Sequence, residues 1–317
     1  MFRAFQKPRI GIVLNGGGAR GPFQIGVYIA LKQHGYIDKI KAMTASSVGA
    51  FSATLFLLED EKKMIDLWKL IDNKTVKANK DFSFIKKVSS ALTKKAGYYS
   101  RDKLIDLMTD KLDLEKIYQT KLPIYFSLAK RVIEDEKNTS YQAEYIKVNN
   151  LKEDDILTLL MATSAIPMVF DPVPYKGNTY VDPMMADNEP IKPLLNYDLD
   201  YVFILPLNNS HLTKTYSPSL PFDIVDFTCP QMMELKLKNM IDFDPTNQDS
   251  YISLGYFTAD TLLSLLESKG LLANRLNLKK RKELNIYSLS NLHISDIRFD
   301  IMNSEDILKL AQKQKRK

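Results

Sequence analysis

Apolar positions run almost without interruption through residues 9–15 (RIGIVLN), which predicts a short strand buried on both faces. Gly16-Gly17-Gly18-Ala19-Arg20-Gly21 follows, and then Pro22, which suits a first helical turn because its missing N–H would lack a partner there anyway. From Phe23 to His34 apolar residues recur at helical spacing, Ile25 with Ile29 and Val27 with Leu31, until Gly35 stops the helix. Residues 40–46 (IKAMTAS) predict a second strand and residues 48–58 a second helix. The chain therefore opens as a βαβα unit, with parallel strands and a right-handed crossover.

Further on, the pattern is less regular. Helical stretches over residues 61–71 and 100–112 flank a lysine-rich segment, and residues 122–133 and 141–148 read as paired strands around the polar turn EDEKNT. A capped helix spans residues 154–163 and ends before Ser164-Ala165-Ile166-Pro167. A hairpin then runs from Val173 through Lys176-Gly177-Asn178 to Val181 and delivers Asp182 at a strand end. Residues 201–207 (YVFILPL) predict another buried strand, and the last third is mainly helical apart from a strand over 284–289. No repeat, low-complexity tract or linker divides the chain. We expect one α/β domain over residues 1–317, with a motif-bearing core at about 9–207 and a mainly helical elaboration at about 208–317.

Composition narrows the setting. A chain of 317 residues with 45% hydrophobic content can bury a substantial core. The single cysteine, Cys229, cannot form an intrachain disulfide and fits a reducing cytoplasm. No stretch reaches the roughly 18 uncharged residues of a membrane span, and the N-terminus has no apolar signal core, so the expectation is a soluble cytoplasmic protein. The net charge is +6, yet residues 74–95 carry seven lysines against one acid, and residues 309–317 carry five basic residues and no acid. The remainder is net −5, and with basicity this local, nucleic acid is not an expected partner. Over residues 82–95, Phe84, Ile85, Val88, Ala91 and Leu92 share one helical face, with Lys86, Lys87 and Lys94 opposite. That pattern fits a helix packed on the core. It also fits one resting peripherally on an anionic bilayer through Lys86, Lys87, Lys94 and Lys95.

The strongest local chemical signal is Ala45-Ser46-Ser47-Val48-Gly49-Ala50, at the junction of the second strand and its helix. A serine on such a sharp turn stands above the sheet edge, and the residues two before and two after it must be small because strand and helix backbones nearly touch. Ala45 and Gly49 meet that demand, and the helix N-terminus would favour negative charge developing beside Ser47. The bland reading is that Ser46 and Ser47 cap a helix. Gly16, Gly18 and Gly21 match the dinucleotide fingerprint G-x-G-x-x-G, but the acid expected at the end of the second strand is replaced by Ala45, Ser46 and Ser47. On adjacent parallel strands, the free amides of Gly17, Gly18 and Ala19 would instead face Ser47 as an oxyanion hole. His34, His211 and His293 occupy positions typical of surface or capping residues. Asp182 opens a loop rich in turn formers, where it is either a turn cap or a chemical group.

Taken together, these segments resemble the patatin-like phospholipases. The family's G-G-G-x-R-G loop corresponds to Gly16 through Gly21, its G-x-S-x-G-A elbow to Ala45 through Ala50, and its A-S-S-A-I-P segment to Ala162 through Pro167, followed by Phe170-Asp171-Pro172-Val173. Its D-G-G/A loop lies over Asp182-Pro183-Met184, with Asn188 and Pro190 beyond. The resemblance implies a three-layer α/β/α fold around a mainly parallel sheet. It also implies a lipid acyl hydrolase of phospholipase A or lysophospholipase type, working on phospholipids or other acyl-ester lipids without metal or cofactor. Ser47 would be the nucleophile, Asp182 its base, and the Gly16, Gly17, Gly18 and Ala19 loop the oxyanion hole, with Arg20 steadying the loop or a headgroup. Gly21, Ala45 and Gly49 would support this arrangement. Burial should raise the Asp182 pKa toward that of a useful base. Two departures stand out: Ala45 replaces a glycine, and Pro183 and Met184 replace the glycines after the aspartate. The second keeps a catalytically silent lipid-binding protein open as an alternative. A Rossmann-type oxidoreductase, or an α/β-hydrolase using His211 or His293, is less favoured.

Overall fold

The computed structural model describes residues 8–72, 110–135, 138–167, 169–208, 211, 214–233, 242–272, 284–294 and 301–315. The lysine-rich segment with Lys86, Lys87, Lys94 and Lys95, and most of the helix expected over 100–112, lie outside these residues.

A mixed, mostly parallel sheet runs in the order β5-β6-β3-β2-β1-β7-β8-β9, with β4 paired to β3 off this path. Its strands are β1 (Ile10–Leu14), β2 (Ile40–Ser46), β3 (Ile124–Ile133), β4 (Thr139–Lys147), β5 (Val173–Tyr175), β6 (Asn178–Val181), β7 (Tyr201–Leu205), β8 (Asp223–Asp226) and β9 (Ile286–Tyr287). The helices are α1 (Pro22–Gln33), α2 (Val48–Phe56), α3 (Glu61–Lys69), α4 (Leu114–Gln119), α5 (Glu153–Thr163), α6 (Pro230–Met233), α7 (Pro245–Ser268) and α8 (Ser304–Lys315).

The unbroken apolar run in β1 has a simple cause. Ile10, Ile12 and Leu14 pack into the core shared with the helices, while Val13 points to the opposite face and meets Leu194 and Leu199. Strand β7 divides in the same way, with Tyr201, Phe203 and Leu205 on one side and Val202 and Ile204 on the other. The second face is closed by a thinner layer that includes the short helix Lys192–Asn196. A strand buried on both faces has no use for alternating polar residues.

The C-terminal region is helical, as expected, and α7 lies directly against α1. Gly26 of α1 and Gly255 of α7 make this approach possible: a Cβ on Gly26 would meet the Ile252 carbonyl, and one on Gly255 would meet the Phe23 carbonyl. Two details differ from the sequence expectation. Helix α5 begins at Glu153 after Lys152, which provides no side-chain cap; its acidic first turn, Glu153, Asp154 and Asp155, complements the helix dipole instead. Strand β8 was not anticipated, because Asp223-Ile224-Val225-Asp226 has an acid at each end.

Register sets the stage for the site. In the parallel pair β1 and β2, Leu14 lies opposite Ala45, so the glycine loop and Ser47 leave the same sheet edge side by side. Strand β3 pairs with β2 through Ser127 opposite Ser46, and antiparallel β6 pairs with β3 through Val181 opposite Ala129. That second pairing returns Asp182 to the edge where Ser47 stands.

Candidate active site

Ser47 follows β2 and precedes α2, with φ 50° and ψ −126°, a left-handed conformation that costs a non-glycine residue about 1–3 kcal/mol. The tight corner follows from packing. Gly49 sits so close to β1 that a Cβ there would collide with the Leu14 carbonyl, and Ala45 is fully buried in regular strand. Ser47 makes no side-chain cap to α2, so the helix-capping reading fails. Its hydroxyl donates to Asp182 Oδ2 at 2.6 Å. Its backbone N–H donates to Thr163 Oγ1 at 2.8 Å, and Thr163 in turn donates to the Ser127 carbonyl at 2.7 Å.

Asp182 caps a turn with one carboxylate oxygen and meets the Ser47 hydroxyl with the other. Oδ1 accepts the Met184 N–H at 2.9 Å and caps the short helix Pro183–Met185, while Oδ2 faces Ser47. Pro183 removes an amide that the carboxylate does not use. Burial pushes the Asp182 pKa up to about 6, against the opposing pull of the hydrogen bonds from Ser47 and Met184. The Asp182 N–H is itself held by the Ala165 carbonyl at 2.9 Å.

The glycine loop lies beside this pair. Gly16 N–H donates to Asn188 Oδ1 at 3.1 Å, and the Gly16 carbonyl accepts from Asn188 Nδ2 at 3.1 Å and Asn208 Nδ2 at 3.0 Å. The Gly16 amide is thus engaged, and the amides of Gly17, Gly18 and Ala19 are what the loop has left to offer. Gly18 has φ +58°, natural only for a residue without Cβ. Arg20 is buried, and its guanidinium donates to the Leu207 carbonyl at 2.8 Å, so it braces the loop from within. Gly21 packs against Trp68, whose ring a Cβ there would strike.

Ser47 and Gly18 line a cleft whose other walls include Phe51, Trp68, Ile71, Leu160, Ile166 and Phe170. Phe51 and Trp68 meet edge to face, with centroids 5.1 Å apart. These wall residues come from α2, α3, α5 and the segments that follow α3 and α5. Their apolar character was visible in the sequence, but nothing distinguished them from ordinary core.

His211 is a correction. It is buried rather than superficial, with Nδ1 2.6 Å from Glu189 Oε2 and Nε2 2.9 Å from Asp226 Oδ2. Burial disfavours its charge, but the two carboxylates overcome that and raise its pKa to about 10, whereas His211 draws the Glu189 pKa down despite burial. Glu189 also accepts from Asn15 Nδ2 at 2.8 Å and from the Tyr216 hydroxyl at 2.6 Å. A charged imidazole with both nitrogens committed cannot serve Ser47 as a base. The network instead anchors Asn15 and residue 189, immediately before Gly16 and after Asn188.

Comparison with known proteins gives the family of the chain. A family model described as patatin-like phospholipase matches residues 12–195, more than half of the chain, and the chain belongs to that family. Among curated proteins, uncharacterized NTE family proteins of Mycobacterium bovis and Mycobacterium tuberculosis are 26% identical over 208 residues, covering 66% of this chain and 51% of theirs. The chain therefore spans about half the length of these relatives. Among solved structures, VipD from Legionella pneumophila aligns with a TM-score of 0.43 and 14% identity, over 97% of this chain and 75% of that one. The ExoU-SpcU complex from the type III secretion system of Pseudomonas aeruginosa aligns with a TM-score of 0.37 and 18% identity, over 86% and 56%. Among the described residues, no helix is long and apolar enough to cross a membrane.

Proposed function

We propose that this chain is a serine lipid acyl hydrolase of phospholipase A or lysophospholipase type. The observation that carries the reading is the 2.6 Å hydrogen bond from a strained Ser47 to a buried Asp182 that no charged side chain among the described residues stabilises. Asp182 Oδ2 accepts the Ser47 proton as Oγ attacks the ester carbonyl carbon. The resulting oxyanion is met by loop amides, with Gly18 lining the same cleft as Ser47 and Gly16 reserved for holding the loop. The C–O bond to the alcohol then breaks, and the alcohol leaves with the proton from Asp182. Water attacks the Ser47 ester, giving its proton to Asp182, and the carboxylic acid departs as the serine hydroxyl is restored.

The apolar cleft supports an acyl chain as the group bound next to Ser47, since burying each CH2 is worth about 0.8 kcal/mol. Arg20, turned inward to Leu207, serves the loop in this account and not a headgroup. Because Met184, not Pro183, supplies the amide to Asp182, the proline gives no ground for preferring a silent lipid-binding protein. Contact with anionic membranes through Lys86, Lys87, Lys94 and Lys95 belongs to the same proposal. Sedimentation with anionic liposomes should weaken when these four lysines are neutralised, and unchanged binding would remove that part.

Incubation with phospholipid, lysophospholipid and long-chain monoester vesicles, with released fatty acid measured, tests the main reading. Hydrolysis that disappears in Ser47→Ala is expected. Hydrolysis retained in Ser47→Ala, or none by the wild type on any of the three, would overturn it.

A further inference from the structure

The segment that ends α5 and follows it, Ala162 through Pro167, resembles the family's A-S-S-A-I-P block, yet the reaction just described gives it no task. Its geometry supplies one. Thr163 is fully buried, and its hydroxyl is used in both directions: Oγ1 accepts the Ser47 N–H at 2.8 Å and donates to the Ser127 carbonyl at 2.7 Å. Donation to Ser127 fixes the hydroxyl proton and leaves a lone pair aimed at Ser47. Two residues on, the Ala165 carbonyl accepts the Asp182 N–H at 2.9 Å. One turn of chain thus grips the backbone of both the nucleophile and its base. Resting on the Ser47–Asp182 reading, we propose that Thr163 is a positioning residue, and that residues 163–165 form a bracket that sets the separation between Ser47 and Asp182.

The physical need is clear from Ser47 itself. A non-glycine residue at φ 50° relaxes unless its surroundings hold it, and the Ser47 amide would be a buried donor without a partner if Thr163 were apolar. Ser47 sits between β2 and α2, whereas Asp182 ends β6, so the two arrive from elements that do not pair directly. Sheet pairing through β3 sets their approximate distance, and the bracket fixes it at hydrogen-bonding range. The bracket also touches the acyl cleft, because Leu160, Ser164 and Ile166 line it on either side of Thr163. By engaging the Ser47 amide, Thr163 further excludes it from the oxyanion hole and leaves that task to the glycine loop.

Thr163→Val preserves shape and removes both hydrogen bonds, while Thr163→Ser keeps the hydroxyl. The test compares kcat and KM on a monoester, the second-order rate of fluorophosphonate labelling at Ser47, and the melting temperature for wild type and both variants. Thr163→Val should lose about 10- to 100-fold in kcat and in labelling rate, with KM changed less than about twofold and the labelled, folded fraction confirmed by melting. Thr163→Ser should recover most of the loss. If Thr163→Val melts lower but the folded protein labels and turns over at the wild-type rate, Thr163 is merely structural and the proposal is wrong. A wild type that neither labels nor hydrolyses would instead sink the dyad reading, and this inference with it.

Discussion

Two buried carboxylates, seven residues apart in sequence, have been driven in opposite directions. Asp182 sits at the end of β6, with a serine hydroxyl and one amide for company, and burial raises its pKa to about 6. Glu189 lies next to protonated His211, with Asn15 and Tyr216 donating to it, and its pKa falls. Burial is common to both; the difference is the countercharge. A carboxylate given a cation becomes scaffold, fixed in its ionised form. One denied a cation is left unstable as an anion and therefore able to take a proton near neutral pH. The first holds Asn15 at the start of the glycine loop, and in the proposed reaction the second takes the proton of Ser47.

The sharpest break in that comparison is chemical. Ser47→Ala should reduce ester hydrolysis by about 10⁴-fold or more while leaving melting nearly unchanged; retained turnover would show that another group carries the reaction. Stability should then separate the two carboxylate sites in sign. His211→Ala leaves Asp226 buried without its cation and Glu189 with only the more distant Lys214, and should cost about 3–5 kcal/mol in urea unfolding. Asp182→Asn removes an uncompensated buried charge, whose pKa shift from 3.8 to about 6 corresponds to about 3 kcal/mol at pH 8, and should raise the melting temperature. Matching losses in both variants would contradict the contrast.

The pH dependence of the His211 contribution follows from the same shift. Its folded pKa is raised above the ordinary 6.5, so its stabilisation is complete below pH 6.5 and is lost as pH rises to about 10. Glu189, with a lowered pKa, contributes above its ordinary 4.5 and loses that contribution as pH falls. The stability gap between wild type and His211→Ala should therefore shrink steadily from pH 6.5 to 10.

Smaller effects sharpen the picture at the loop and the cleft. Asn188→Ala, which frees the Gly16 amide and leaves its carbonyl held by Asn208 alone, should lower kcat by about tenfold with less change in KM. Phe170→Leu, which opens the cleft wall, should move the preferred acyl length toward longer chains by about tenfold, the lower end of the roughly 10- to 200-fold that one methylene can be worth. Equal rates across chain lengths in both proteins would mean that the acyl group does not occupy this cleft.

The parts of the site that were legible in the sequence are those where local geometry leaves little choice. Gly49 must be small because α2 presses on β1, Gly18 must tolerate a positive φ, and the Lys176-Gly177 turn, with φ of 45° and 79°, must close the hairpin that delivers Asp182. Illegible were the contacts that join distant segments. Nothing near Thr163 in the chain indicates that its hydroxyl meets Ser47, 116 residues away. His211 read as superficial because its neighbours are polar, yet it is buried by Glu189 and Asp226. Strand β8 was hidden by acids at both ends, one of which, Asp226, is there to hold that histidine.

The most direct measurement is the rate of fluorophosphonate labelling at Ser47 across pH 4.5 to 9, in the wild type and Asp182→Asn. The account predicts a single label on Ser47, a rate that rises with a midpoint near pH 6 as Asp182 ionises, and a slow, flat profile in Asp182→Asn. A wild-type rate indifferent to pH in this range, or an Asp182→Asn variant labelled as fast as the wild type, would contradict it.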